Sequence, residues 1–132
     1  MTVVARGTFD VKVLPQPSGD AAGGAFARFF LDKKFHGDLD AVSQGEMLAA
    51  GGPDKGEGGY VALERVTGTL HGKRGSFVLQ HRGTMSGGDY HMDITVVPGS
   101  GTEELTGLAG TLTITIDGKL HRYELATTLA TP

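Results

Sequence analysis

Residues 59–97 read GYVALERVTGTLHGKRGSFVLQHRGTMSGGDYHMDITVV, and strand-like segments alternate with glycine turns along this stretch. Within each segment apolar and polar side chains alternate, as in a strand with one buried face. The Gly-Gly pair at residues 87–88 is a strong hairpin signal, because the favoured two-residue turns need positive φ. We therefore predict successive hairpins, with further tight turns at residues 72–73 and 117–118.

The same pattern extends over the whole chain, in which Gly accounts for 22 of 132 residues and no segment is convincingly helical. A chain of short strands separated by turn residues is typical of a barrel or sandwich. We predict a single all-β domain over residues 1–132, an eight-stranded antiparallel barrel. Residues 18–24 are expected to form a loop, and residues 51–59 either a lid or a plain loop. The predicted strands cover residues 2–14, 25–39, 41–50, 60–71, 74–85, 89–98, 104–116 and 119–129.

Composition excludes several classes of function. The net charge is −3, which gives no electrostatic footprint for nucleic acid, and the absence of Cys excludes disulfides and thiolate sites. No apolar run approaches the roughly 20 residues that span a bilayer. The N-terminal segment MTVVARGTFDVKV resembles a strand more than a signal peptide. We expect a cytoplasmic protein with no nucleic-acid or membrane partner.

The hairpin at residues 72–73 predicts one polar pair on the inner face. A two-residue turn there places Glu64 opposite His81 in apolar surroundings, whereas a three-residue loop would pair Glu64 with Arg82. A carboxylate beside an imidazole is a candidate acid–base pair for catalysis. The alternative, an ordinary buried pair in which two polar groups satisfy each other, is favoured.

The other inward-facing positions of the last five strands predict a ligand cavity. They are mostly apolar, and the Tyr123 hydroxyl could bind a ligand carbonyl or simply a backbone carbonyl in the core. The predicted ligand-binding residues are Tyr60, Phe77, Leu79, Met85, Tyr90, Met92, Ile94, Leu112, Ile114, His121 and Tyr123.

Other site chemistries have weak support. The 5 His residues show no metal-ligand spacing, and no Ser lies in a nucleophile elbow, so we expect neither a metal nor a cofactor. Lys33, Lys34 and His36 could bind an anion, but a solvated face is favoured for them. Phe26 and Phe30 fall on the face of their strand opposite the predicted core, where they would leave apolar surface exposed. This predicts a homo-oligomer, with a dimer favoured.

Three motifs resemble a bacterial family of unknown function. They are Ala-x-Glu-Arg at 62–65, Gly-Ser-Phe-x-x-x-His at 75–81 and Leu-x-Gly-x-x-Gly-x-Leu at 105–112. The resemblance implies a barrel similar to that of allene oxide cyclase, with an apolar cavity and a tendency to oligomerise. It also resembles the barrel of spirotetronate cyclases. It assigns no catalytic role to the matched residues Glu64, Phe77, Gln80, His81 and Gly110.

Three functions are compatible with these features. The first is a barrel that binds a small apolar molecule in a cavity. The second is a cofactor-independent isomerase or cyclase, allene oxide cyclase-like or spirotetronate cyclase-like, that uses Glu64 and His81. The third is a barrel filled by its own side chains that acts only through its outer surface.

Overall fold

The described part of the chain, residues 2–17, 26–52 and 56–129 of a computed structural model, forms a closed barrel of eight strands. Each strand pairs antiparallel with its neighbour in sequence, and β1 pairs with β8 to close the barrel. The predicted eight-stranded antiparallel barrel is therefore confirmed. The strands are β1 Val3–Gln16, β2 Ala27–Gly37, β3 Leu39–Gly52, β4 Glu57–Leu70, β5 Lys73–Ser86, β6 Asp89–Val96, β7 Leu108–Asp117 and β8 Leu120–Leu129.

Alternating burial along the strands separates the inside of the barrel from its outer wall. On β4, Ala62, Glu64 and Val66 are buried, whereas the intervening Leu63 and Arg65 are exposed. This follows from the period of two residues in a strand, because successive side chains point to opposite faces. The inner face supplies the hydrophobic core, whose largest buried members are Phe35, Phe77, Leu39, Leu79, Ile94, Leu105 and Leu125.

One end of the barrel is closed by the connection between β6 and β7. A short 3₁₀ helix, Glu103–Leu105, places Leu105 in the core with 1% of its surface exposed. Thr102 anchors this connection to β5, because its hydroxyl accepts a hydrogen bond of 2.9 Å from the Ser76 backbone amide. The prediction that strand seven starts at residue 104 is therefore wrong, since β7 begins at Leu108.

Tyr123 links β8 to the chain between β2 and β3. Its hydroxyl accepts a hydrogen bond of 2.9 Å from the Leu39 amide and donates one of 2.9 Å to the His36 carbonyl. Burial raises the pKa of Tyr123 above its ordinary value. Tyr123 therefore ties three strands together at the closed end.

The hairpin between β4 and β5 has a different register from the predicted one. The two turn residues are His71 and Gly72, with φ of 48° and 80°, as a type I′ turn requires. Glu64 consequently lies opposite Leu79, and His81 lies opposite Ala62. The prediction that Glu64 faces His81 directly is wrong, as is the alternative pairing of Glu64 with Arg82.

The hairpin between β7 and β8 is shifted in the same way. Its turn lies at Gly118 and Lys119, so Leu112 pairs with Leu125 and not with Tyr123. The hairpin at Gly87 and Gly88 has the predicted register. Because each error is a shift of two residues, every side chain stays on its predicted face.

The predicted loops are shorter in the structure, or lie outside the described residues. Of the predicted lid or loop 51–59, residues 51–52 belong to β3 and residues 57–59 belong to β4, residue 56 is in a turn, and residues 53–55 lie outside the described part. The predicted loop 18–24 also lies outside it. Within the described ranges, no helix is long and apolar enough to cross a membrane.

Candidate functional site

A cluster of four polar side chains lies inside the barrel around the carboxylate of Glu64. Oε1 of Glu64 accepts a hydrogen bond of 2.9 Å from the Ser43 hydroxyl. Oε2 accepts one of 2.8 Å from Nζ of Lys33 and lies 2.5 Å from Nε2 of His81. All four residues are buried, and their exposed fractions are 7% or less. We call Lys33, Ser43, Glu64 and His81 the polar cluster.

Strand periodicity and one glycine assemble the polar cluster. Lys33 lies on β2 between the buried residues Leu31 and Phe35, so its side chain must also point inward. Ser43 on β3 pairs directly with Lys33. Gly45 pairs with Glu64, and a Cβ at Gly45 would lie 2.7 Å from that of Glu64, so only glycine lets β3 approach β4 this closely beside Glu64.

The charges of the polar cluster stabilise the ionised form of Glu64. Burial by itself raises the pKa of the Glu64 carboxyl, but the hydrogen bond to His81 and the charge of Lys33 outweigh it and lower the pKa to about 2. The Lys33 ammonium also lies 5.1 Å from the centre of the Phe9 ring and 6.0 Å from that of Phe35. Cation–π attraction therefore adds to the ion pair in compensating its desolvation.

The hydrogen bond to Glu64 determines which nitrogen of His81 carries a proton. An ionised carboxylate only accepts hydrogen bonds, so Nε2 of His81 is the donor.

The side chain of His81 points into the barrel, and only 4% of its surface is exposed. His81 is therefore part of the packed interior, and its hydrogen bond to Glu64 is made through Nε2.

A cavity of about 280 Å³ lies at the end of the barrel that is opposite the 3₁₀ helix. We call this end the open end. Its walls are almost entirely apolar atoms, and the lining residues that carry a hydroxyl group are Tyr60, Thr84 and Tyr90. Apolar pockets with a few polar groups are typical of small-molecule sites. The residues that define it best are Met47, Ala49, Tyr60, Gly83, Met85 and Tyr90.

Tyr60 lies between this cavity and the polar cluster. The Tyr60 ring packs across Gly83, where a Cβ would collide with the ring. The centre of the Tyr60 ring lies 6.4 Å from the centre of the His81 ring. Burial, together with the neighbouring Tyr90 hydroxyl, raises the pKa of Tyr60, so its hydroxyl stays protonated. Gly83 and His81 are successive inward-facing residues of β5, and His81 is the one nearer the closed end of the barrel.

A family model described as "Protein of unknown function (DUF3224)" matches residues 5–126. The chain belongs to the DUF3224 family. It is similar to a solved structure from Shewanella oneidensis MR-1, described as a DUF3224-family protein with unknown function. The two are 45% identical over 100% of both chains, with a TM-score of 0.92. No curated protein matches this DUF3224 chain. The predicted membership of a family of unknown function is thus confirmed.

The predicted site residues of this DUF3224 chain fall into four groups. Glu64 and His81 are in the polar cluster, and Tyr60, Met85 and Tyr90 line the cavity. Met92 and Ile114 are partly buried against the core, and His121 is half-buried with its ring 5.1 Å from that of Phe9. The remaining predicted residues lie in the packed core: Phe77, Leu79, Ile94, Leu112 and Tyr123.

Sequence reasoning missed Lys33, Ser43 and Gly45. The prediction of a solvated position for Lys33 is wrong, because its ammonium is paired with Glu64 inside the barrel. Lys34 is exposed on the outer side of β2, as the prediction requires. The available signal was the alternation that already placed Leu31 and Phe35 inside, since Lys33 lies between them.

The polar cluster has the character of a proton-transfer site more than of a metal site. Within residues 2–17, 26–52 and 56–129, no three His, Cys, Asp or Glu side chains come together as a group of metal ligands. The cluster instead combines a lysine ammonium, a carboxylate and an imidazole in hydrogen-bond contact. Such an arrangement can orient an imidazole and stabilise its protonated form.

Proposed function

We propose that this DUF3224 chain binds a small apolar molecule in the cavity at the open end of the barrel. The observation that carries this proposal is the cavity of about 280 Å³ with its nearly uniform apolar wall. Met47 and Met85 contribute adaptable side chains to that wall. An eight-stranded barrel has an interior wide enough for one small ligand.

The test is saturable binding of an uncharged fluorophore, N-phenyl-1-naphthylamine, whose emission rises in apolar surroundings. Ala49 points into the cavity, so Ala49→Phe fills part of it. The ring takes up space that the fluorophore needs, so we expect the affinity to fall by about tenfold, which corresponds to about 1.4 kcal/mol. The matched control is Ala109→Phe, which adds the same ring to the exposed outer wall of β7.

The binding proposal fails if the wild-type protein does not bind the fluorophore, or if Ala49→Phe binds it as tightly as the wild type and Ala109→Phe do. Native mass spectrometry of the purified protein supplies a second readout, since a retained ligand adds its mass to the chain. Failure of both would favour a barrel that acts only through its outer surface.

A second candidate function is a cofactor-independent isomerase or cyclase, as the resemblance to allene oxide cyclase-like and spirotetronate cyclase-like barrels suggests. The observation that favours it is the hydrogen bond of 2.5 Å between His81 and Glu64, with Lys33 beside it. To test it, the wild type and His81→Gln are incubated with a small-molecule extract, and the mixtures are compared by chromatography and mass spectrometry. A catalyst produces a new species of unchanged mass with the wild type only, whereas a carrier leaves all species unchanged.

A further inference from the structure

Three large apolar side chains lie side by side on the outer wall of β3 and β4. Leu48, Val61 and Leu63 are 45%, 54% and 55% exposed. By contrast, the middle of the outer wall across the barrel, on β7 and β8, is polar and carries Thr111, Thr113, Thr115, Arg122 and Glu124. A strand face that borders water is usually polar, so the apolar side chains indicate a surface that a partner covers.

The register of β3 and β4 joins these side chains into one patch. Leu48 pairs directly with Val61, and Leu63 is the next outward-facing residue of β4. Glu46 pairs with Leu63, and Arg65 follows Leu63 on the same face. A groove of about 1050 Å³ runs over this wall and is lined by all five residues. We call Glu46, Leu48, Val61, Leu63 and Arg65 the β3–β4 face.

The two charged members of the β3–β4 face can each make a further bond. Arg28 bonds to Oε1 of Glu46, which leaves Oε2 with no side-chain partner in the described part of the chain. Arg65 is exposed and takes part in none of the ion pairs found among the described residues. The face thus presents an acid on β3 and a base on β4, beside an apolar centre.

We infer that the β3–β4 face is the interface of a homodimer, in which β3 of each copy packs over β4 of the other about a two-fold axis parallel to the strands. Rotation about such an axis keeps the level of every residue along the strand. Leu48 therefore lies over Val61 of the second copy, and Glu46 lies over Leu63 of the second copy, next to its Arg65. Because a two-fold interface is isologous, each contact is made twice.

Charge complementarity favours a second copy as the occupant of the face. A face with charges of one sign would repel its own copy, whereas here an acid meets a base at two places. Sheets that stack face to face lie about 10 Å apart, and the side chains of Glu46 and Arg65 together can span that distance. The apolar side chains of the two copies meet between these ion pairs.

The size of the wall predicts a dimer that dissociates on dilution. Four strands, β2 to β5, at a spacing of about 4.8 Å and over about eight residues of about 3.3 Å each, present roughly 500 Å². Phe30, which pairs with Glu46, contributes to this area. Two such faces bury about 1,000 Å² together, which is the lower limit for a specific interface. We therefore expect a dissociation constant in the micromolar range.

Exchange of the two charges tests the contact between Glu46 and Arg65. Glu46→Arg brings two bases together at each contact, and Arg65→Glu brings two acids together. Each variant should therefore dimerise at least about tenfold more weakly than the wild type in sedimentation equilibrium. In an equimolar mixture of the two variants, both contacts again join an acid to a base. A heterodimer should then form with a dissociation constant close to that of the wild-type dimer.

The matched controls are Glu124→Arg and Arg122→Glu, the same changes on the exposed outer wall of β8, which should dimerise like the wild type. A measurement on the wild type covers the case in which a variant does not fold. On dilution, the methyl resonances of Leu48 and Val61 should shift in NMR spectra, whereas those of Leu120, which is 40% exposed on β8, should not.

Three results would overturn the assignment of this interface. The first is a wild type that stays monomeric up to high micromolar concentration, which would leave the face to a different partner. The second is dimerisation of Glu46→Arg and Arg65→Glu as strong as that of the wild type. The third is a mixture of the two variants that stays monomeric, which would mean that Glu46 does not meet Arg65 of the second copy.

Discussion

Replacing Glu64 by Gln should destabilise the folded protein strongly. Gln has nearly the same shape and can still accept a hydrogen bond from Ser43, so the change removes charge without opening a cavity. It leaves the Lys33 ammonium buried, with only 7% of its surface exposed and no anion beside it. A buried charge that loses its partner is expensive because the interior solvates it poorly.

The size of the effect follows from the burial of the ion pair and from the pKa of Glu64. Removing one partner of a buried ion pair typically costs about 3–5 kcal/mol. The pKa of Glu64, lowered from 4.5 to about 2, corresponds to about 3 kcal/mol of stabilisation of the folded state. For a chain of this length, such a loss lowers the Tm by roughly 10–20 °C.

The assay is urea and thermal unfolding followed by circular dichroism, with two comparisons. Glu46→Gln breaks the exposed ion pair with Arg28, so it should change the free energy of unfolding by about 0–1 kcal/mol only. Lys33→Met combined with Glu64→Gln leaves neither charge of the pair behind. The double variant should therefore be more stable than the sum of the single losses implies, by roughly 1–3 kcal/mol.

Two outcomes would refute the buried-pair account. One is a loss for Glu64→Gln no larger than that for Glu46→Gln, which would mean that water screens the polar cluster. The other is strict additivity of Lys33→Met and Glu64→Gln, which would mean that the two side chains do not interact in the folded state.

Three further predictions concern pH, assembly and the closed end of the barrel. The stability advantage of the wild type over Glu64→Gln is complete above pH 4.5 and should disappear as the pH falls to about 2, because the pKa of the Glu64 carboxyl is lower in the folded than in the unfolded protein. The free energy of unfolding of both proteins, measured as a function of pH, checks this. Leu63 is 55% exposed on the outer wall, and light scattering should show a homodimer that Leu63→Glu dissociates; a monomeric wild type at micromolar concentration would contradict the expected oligomer. Tyr123→Phe leaves the buried amide of Leu39 without a partner and should lower the free energy of unfolding by about 1–3 kcal/mol. An unchanged urea midpoint would show that another group replaces the hydroxyl.

The faces of the strands could be predicted from sequence even where their registers could not. The predicted turns at residues 72–73 and 117–118 were each displaced by one residue, which shifts the register by two. Because side chains in a strand repeat every two residues, Glu64 and His81 still point inward together. The contact between them is diagonal. Glu64 pairs with Leu79, and its side chain reaches His81, which lies two residues further along β5.

The sequence by itself determined the barrel class, the inward positions and the family, because alternation and glycine turns are local properties of the chain. Only the tertiary structure decided that Lys33 joins Glu64, since a lysine is buried when another strand supplies an anion, here one 31 residues away. It also decided that His71 takes a positive φ in its turn and that Tyr60 covers Gly83. These features depend on contacts between strands, whose energies no local pattern contains.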